Sequence, residues 1–432
     1  MSRRSLIGAL TLAAAAAVSS VLVYRHVRAP RGAEAPPEPA AAVTAARPQP
    51  PALAPPFALD LTRVDVTDDG ASVALADGHV AHLTLDPKLQ RAVVGKLRQH
   101  ALPEAAVVVL DPATGEVLAY ASQLEGGPPR DLCRQATAPA ASVFKIVTGT
   151  ALVEHAGLGP DSRQCYAGGG EQRILASDLE ADPLRDKWCT TLAGAMGRST
   201  NTVFARLAQK HLDAPSLERQ ARALGFGDAL PFDVEVTPSA LFVPTEALAF
   251  ARTAAGFWNT TLSPLHAAWL SGVVAHGGEG MRPFVVRDVT GEGGRSLYHA
   301  TPSVLRRPMR PDTAQAVTVM MEHTVSEGTG YRAFHDGAGR PFLRGIPVAG
   351  KTGTLNDPGG QRLNTWFTGF APSRPVAGKR QLAIAVLVVN RPKWRIKANT
   401  LAREILELAF ETAPAAHEKP KAKSHPARSA RK

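Results

Sequence analysis

The chain has 432 residues, 44% hydrophobic and 20% charged. That supports at least one substantial core and excludes wholly disordered, collagen-like and coiled-coil architectures. The formal charge of +11 would suit nucleic acid, but it sits at the ends: residues 1–31 carry five arginines and no acid, residues 414–432 carry six Lys or Arg against Glu418, and +1 is left between. A near-neutral body with 6% aromatic residues has no electrostatic footprint for a phosphate backbone, which argues against nucleic acid as a partner. Cys133, Cys165 and Cys189 show no CxxC spacing and no paired histidines, so no metal site is expected, and one disulfide with a spare thiol stays open.

Residues 5–24 form a twenty-residue run without a charge, which as a helix rises about 30 Å and matches the hydrocarbon thickness of a bilayer. Residues 1–28 therefore read as a membrane anchor or, through the small residues Ala17 and Ser19, as a cleaved signal; either exports the rest of the chain. Residues 29–56, in which 19 of 28 are Ala or Pro, form a linker too poor in large apolar groups to pack. Residues 57–85 alternate apolar and polar positions around Asp-Gly turns and predict a small strand-rich segment.

The main body spans residues 86–413. A helix is expected over 88–100, then a hairpin of strands 106–110 and 116–121 joined by Asp111-Pro112-Ala113-Thr114-Gly115. Residues 142–155 predict a helix apolar on nearly every side, closed by Gly157. Further helices are expected over 191–211, 217–224, 264–276 and 398–411, and strands over 346–354, 365–370 and 382–389. Strands at both ends with helices between predict an α+β fold, a central antiparallel sheet with helices on both sides. Residues 414–432 read as a basic, disordered tail.

Lys145 is the odd residue of its helix, an amine among Val143, Phe144, Ile146 and Val147, where burial disfavours the ammonium and makes the neutral amine available near pH 7. Ser142 lies three residues earlier on the same helical face. A serine beside such a lysine is an activated nucleophile, and it sits at a helix start, where developing negative charge is favoured. Ser-x-x-Lys alone arises about once by chance in a chain this long. Ser199-Thr200-Asn201 is individually common too. Lys351-Thr352-Gly353-Thr354 is rarer and falls in a predicted strand, where Gly353 permits close approach of a substrate backbone and Lys351 and Thr352 offer charge and a hydroxyl to a carboxylate.

With these three motifs together, the chain resembles the penicillin-binding protein transpeptidases, serine acyltransferases that share the triad with the serine β-lactamases. The resemblance runs from about Leu83 to Phe410 and includes the Val107–Ser122 hairpin, Leu262-Ser263-Pro264-Leu265, His276-Gly277-Gly278, Gly328-Thr329-Gly330 and Trp366-Phe367-Thr368-Gly369-Phe370. It implies a peptidoglycan D,D-transpeptidase without a cofactor, acting on D-Ala-D-Ala stem peptides and acylated by β-lactam antibiotics. Ser142 would be the nucleophile, Lys145 its base, and Ser199 a relay to the leaving amine, with Asn201 orienting Lys145 and the substrate amide. Lys351, Thr352 and Thr354, with Gly353 between them, would hold the terminal carboxylate, and the N–H groups of Ser142 and Thr354 would form the oxyanion hole.

Two departures stand out: Ala140 and Ala141 replace the family's Pro-Gly before the nucleophile, and Thr365 replaces an Asp before Trp366-Phe367. No glycosyltransferase segment fits between the uncharged run and the body, so strand polymerisation falls to a separate glycan polymerase. The rival enzyme readings are a D,D-carboxypeptidase and a β-lactamase; the latter must place a deacylating water, and only Glu154 shares the nucleophile helix. The non-enzyme rivals are a penicillin-binding sensor and an inactive scaffold; intact motifs and the lack of an output domain argue against both. A Cys165–Cys189 disulfide is expected in the exported chain, bracing the connection between the nucleophile helix and Ser199.

Overall fold

The computed structural model describes residues 54–168, 173–357, 359–391 and 394–412. The main sheet is built from Glu104–Leu110 (β1), Val117–Leu124 (β2), Ala349–Asn356 (β3), Leu363–Ala371 (β4) and Leu382–Asn390 (β5). The strand order is β3-β4-β5-β1-β2, antiparallel throughout. β1 and β5 are buried along their whole length, which explains the unbroken apolar runs over 105–110 and 382–389: a strand covered on both faces cannot alternate.

Successive side chains point to opposite faces, and the two hydrophobic cores divide accordingly. Ala106, Val108 and Leu110 join one core with Phe144, Ile146 and Val273; Ala105, Val107 and Val109 join the other with Val93, Leu401 and Ile405. The first core holds the helices Lys145–Ala156 (α2), Leu192–Arg198 (α3), Asn201–His211 (α4) and Pro264–Ala275 (α5). On the other face lie Pro87–Gln99 (α1) and Ala398–Thr412 (α7). The helix Pro311–Ser326 (α6) contributes Val317 and Met320 to the first core and Val325 to the second. The expected α+β architecture is thus the one observed.

Residues 65–66, 71–74 and 80–83 form short strands, and the last pairs with Val286–Thr290, which carries Ser296–His299 on its far side. The 57–85 segment therefore shares a sheet with the hairpin at residues 286–299, a pairing that local periodicity cannot reveal. Asp233 fastens this junction: its buried carboxylate accepts from Val285 N and Val286 N, each at 2.7 Å, while its carbonyl accepts from Phe57 N.

Three boundaries differ from expectation in instructive ways. The helix over 191–211 is broken in two, because Ser199 adopts φ 59°, ψ 37°, a left-handed conformation that stops a right-handed helix. The helix over 142–155 opens as a 3-10 turn at Ala141–Phe144 before becoming α2. α6 was not anticipated, although Pro311 followed by Asp312 is a helix-start signal. Among the described residues no helix is long and apolar enough to cross a membrane. The uncharged run over 5–24 and the basic tail over 414–432 lie outside those residues.

Candidate active site

Ser142 stands in the 3-10 turn at the entrance to α2, half-buried, with Lys145 one turn on and fully buried. Lys145 Nζ donates to Ser142 Oγ at 2.8 Å, to Asn201 Oδ1 at 2.6 Å and to the Ala255 carbonyl at 2.5 Å. It also lies 5.7 Å from the centroid of the Phe204 ring, close enough for a cation–π contact. Of the three oxygens only the serine hydroxyl carries a proton. Ser142 Oγ can therefore accept from the amine or donate its own proton to it, whereas the Asn201 and Ala255 oxygens only accept.

A second serine–lysine pair faces the same cleft. Lys351, fully buried on β3, donates to Ser199 Oγ at 3.0 Å and to the Thr352 carbonyl at 2.8 Å. With no carboxylate beside it among the described residues, burial lowers its pKa from 10.5 to about 7. The left-handed Ser199 is what makes this pair: α3 ends there, α4 starts at Asn201, and the break presents Ser199 to Lys351 and Asn201 to Lys145.

Close backbone contacts hold the pieces in register. A Cβ on Gly353 would lie 3.4 Å from Ala141 Cβ and 3.2 Å from Trp366 Cβ, so β3 passes directly over the nucleophile turn. Trp366 Nε1 donates to the Pro139 carbonyl at 2.9 Å, tying β4 to the segment before Ser142. Gly256, with φ 84°, faces Ala141 and Ser142; a Cβ there would meet the Ala141 carbonyl and come within 3.1 Å of Ser142 Cα. Ala141 itself has φ 49°, where a glycine would be unstrained. The Pro-Gly departure thus leaves a strained alanine immediately before the nucleophile. Thr365, in place of the usual acid, donates to the Val388 carbonyl at 3.1 Å and accepts from Ala398 N at 3.3 Å, securing the start of α7.

Ser142, Ser199, Asn201, Thr352, Gly353 and Thr354 line one cleft of about 920 Å³. Thr352 Oγ1 is 2.5 Å from Thr329 Oγ1, so the Gly328-Thr329-Gly330 turn adds a hydroxyl to the hydroxyls of β3. The Ala255 carbonyl, Gly256 and the aromatic walls Trp258 and Trp394 escaped the sequence reading. A backbone carbonyl leaves no trace in residue type, and an isolated tryptophan carries no spacing signal. Glu154 is committed elsewhere: both its oxygens accept from Arg310, at 2.8 and 3.2 Å.

Cys165 and Cys189 face each other across the hairpin Arg163–Tyr166/Trp188–Thr191 and are joined in a disulfide. Arg206 on α4 reaches into this region, donating to the carbonyls of Cys165 at 2.9 Å and Asp178 at 2.5 Å and to the Asp186 carboxylate at 2.6 Å. Cys133 is a buried free thiol whose pKa burial pushes up.

Residues 105–407 match the family model of the penicillin binding protein transpeptidase domain. The chain belongs to that family. It is 27% identical over 371 residues to the peptidoglycan D,D-transpeptidase PbpA of Mycobacterium tuberculosis, covering 77% of this chain and 72% of the relative. The PbpA of Mycolicibacterium smegmatis is 26% identical over 341 residues, covering 71% and 66%. Among solved structures, the D,D-transpeptidase domain of a peptidoglycan glycosyltransferase from Eggerthella lenta superposes with a TM-score of 0.63 at 26% identity, covering 77% of this chain and 82% of that one. PbpA of M. tuberculosis shares the fold, with a TM-score of 0.62 at 24% identity over 76% and 82%.

Proposed function

We propose that this penicillin-binding protein is a peptidoglycan D,D-transpeptidase whose two serine–lysine pairs divide the proton traffic of acyl transfer. Ser142 Oγ attacks the carbonyl of the penultimate D-Ala as Lys145 takes its proton; the C–N bond to the terminal D-Ala breaks and an ester forms on Ser142. Ser199, hydrogen-bonded to Lys351, relays a proton to the departing amine. Lys351, Thr352 and Thr354 hold the terminal carboxylate, and the N–H groups of Ser142 and Thr354 stabilise the tetrahedral oxyanion. An acceptor amine then attacks the ester, forming the cross-link and returning the proton to the Ser142–Lys145 pair.

The observation that carries this reading is the contact of Ser142 Oγ with a buried lysine amine at 2.8 Å, held from behind by Asn201 and the Ala255 carbonyl. The uncharged run over 5–24 supports membrane anchoring with the enzyme domain in the periplasm, and a separate glycan polymerase supplies the strands. β-Lactams acylate the same serine. The test supplies a pentapeptide donor with excess D-amino acid and counts exchange products against free acid, with penicillin adducts mapped by mass spectrometry. Exchange that rises with acceptor, and an adduct on Ser142, are expected. Hydrolysis dominating at every acceptor concentration would make the enzyme a carboxypeptidase, and rapid penicillin turnover a β-lactamase.

A further inference from the structure

The turn Gly328-Thr329-Gly330 touches both halves of the assembled Ser199–Lys351 pair. Its backbone is pressed against the end of α3: Thr329 N donates to the Gly197 carbonyl at 3.0 Å, and a Cβ on Gly328 would collide with that same carbonyl, an approach that glycine permits. Gly197 stands two residues before Ser199. On the other side, Thr329 Oγ1 lies 2.5 Å from Thr352 Oγ1, and Thr352 is the residue whose carbonyl accepts from Lys351 Nζ at 2.8 Å. The Thr329 carbonyl accepts from Asn399 Nδ2, on the first turn of α7, at 3.4 Å. One residue thus spans the gap across which Ser199 meets Lys351.

A threonine hydroxyl has one proton to give and two lone pairs to receive with. Thr329 Oγ1 has two acceptors in reach, Thr352 Oγ1 at 2.5 Å and the Gly197 carbonyl at 3.3 Å. At 2.5 Å one of the two hydroxyl protons lies between the two threonine oxygens. When the Thr329 proton goes to Gly197, that shared proton is the one on Thr352, which then has nothing to offer a carboxylate. When the Thr329 proton goes to Thr352, the Thr352 proton is turned out to the cleft, and the two hydroxyls donate in series, each polarising the next. Only the second arrangement serves an anion.

We propose that Thr329 is a positioning residue for the terminal carboxylate of the donor peptide. It donates to Thr352 when the carboxylate arrives, so that Thr352 presents its own proton to the anion, and through Gly197 it holds this hydroxyl pair in place relative to Ser199. The assignment rests on the transpeptidase reading, in which Thr352 meets that carboxylate, and adds to it the residue that aims Thr352. Because Thr329 acts through Thr352, its effect requires both the Thr352 hydroxyl and a negative charge on the substrate.

The test uses the full chain as wild type, Thr329→Val, Thr329→Ser, Thr352→Val and the double valine variant, with a pentapeptide donor ending in D-Ala-D-Ala and its C-terminal amide, which lacks the anion. Thr329→Val should lower kcat/KM for the acid by about three- to tenfold, the range of one hydrogen bond, mostly through KM, and should leave the amide unchanged. Thr329→Ser keeps the hydroxyl and should keep the wild-type preference for the acid. In the Thr352→Val background Thr329→Val should cost nothing further, the signature of two residues acting as one. No loss on the acid, equal losses on acid and amide, or full additivity with Thr352→Val would overturn the inference and leave the turn a structural brace. Failure of the reading beneath it shows elsewhere, as a Thr352→Val variant that loses nothing on the acid.

Discussion

The two serine–lysine pairs of the cleft are built in opposite ways. Ser142 and Lys145 are three residues apart on one turn, so helix geometry alone brings them together. Ser199 and Lys351 are 152 residues apart and meet only because a left-handed turn and a sheet edge face each other. The named partners differ as well: Lys145 donates to the amide oxygen of Asn201 and the Ala255 carbonyl besides its serine, whereas Lys351 donates to the Thr352 carbonyl, and burial brings its pKa to about 7. A local pair is robust to movements of the scaffold, while the assembled pair inherits every shift between α3 and β3.

The largest expected effect separates the roles. Lys145→Met should slow penicillin acylation of Ser142 by at least about 10³-fold, since the nucleophile loses its base, while Ser199→Ala should cost about 10², typical of a proton relay. Stopped-flow acylation rates decide it; equal losses would mean that the pairs act as one unit.

Next is the framework of the assembled pair. Replacing Cys165 and Cys189 together by alanine opens a connection closed over 24 residues and should lower stability by about 3 kcal/mol. α3 follows that hairpin directly and Arg206 of α4 grips it, so turnover of a peptide donor should fall as well. Melting temperature and donor kinetics of the double variant check both; unchanged kinetics would show that the brace does not reach Ser199.

The charge on Lys351 gives a pH test. Its folded pKa, about 7, lies below its unfolded value of 10.5, so burying the ammonium costs stability in full below pH 7, and that cost is relieved as pH rises from 7 toward 10.5. Relative to Lys351→Met, the wild type should gain stability across this window by up to about 1.4 kcal/mol per pH unit. Parallel denaturation curves from pH 7 to 9.5 measure it, and a flat difference would place the cost elsewhere. The smallest effect concerns the local pair: Ala141→Gly relieves a positive φ at the expense of unfolded-chain entropy, for a net gain of about 0.5 kcal/mol. Calorimetry would show a slightly higher Tm; a lower one would mean that the Ala141 methyl against Gly353 contributes more than the strain removes.

Residue order alone determined the apolar strands of the main sheet, the helices over 88–100, 264–276 and 398–411, and the three motifs, because periodicity and spacing are local properties. It also placed Ser142 beside Lys145, since three residues on a helix share a face. Tertiary structure decided what locality cannot encode. Ser199 takes a left-handed conformation that splits one expected helix into α3 and α4, the residues 80–83 strand finds its partner at 286–290, and Lys351 reaches Ser199 only when β3 becomes a sheet edge. The Ala255 carbonyl belongs to the same class: any residue type carries a carbonyl, and only the tertiary fold brings this one, at the end of the helix Ala247–Ala254, to Lys145. Sequence selected the reactive groups, and long-range packing with few allowed backbone conformations set the distances at which they can react.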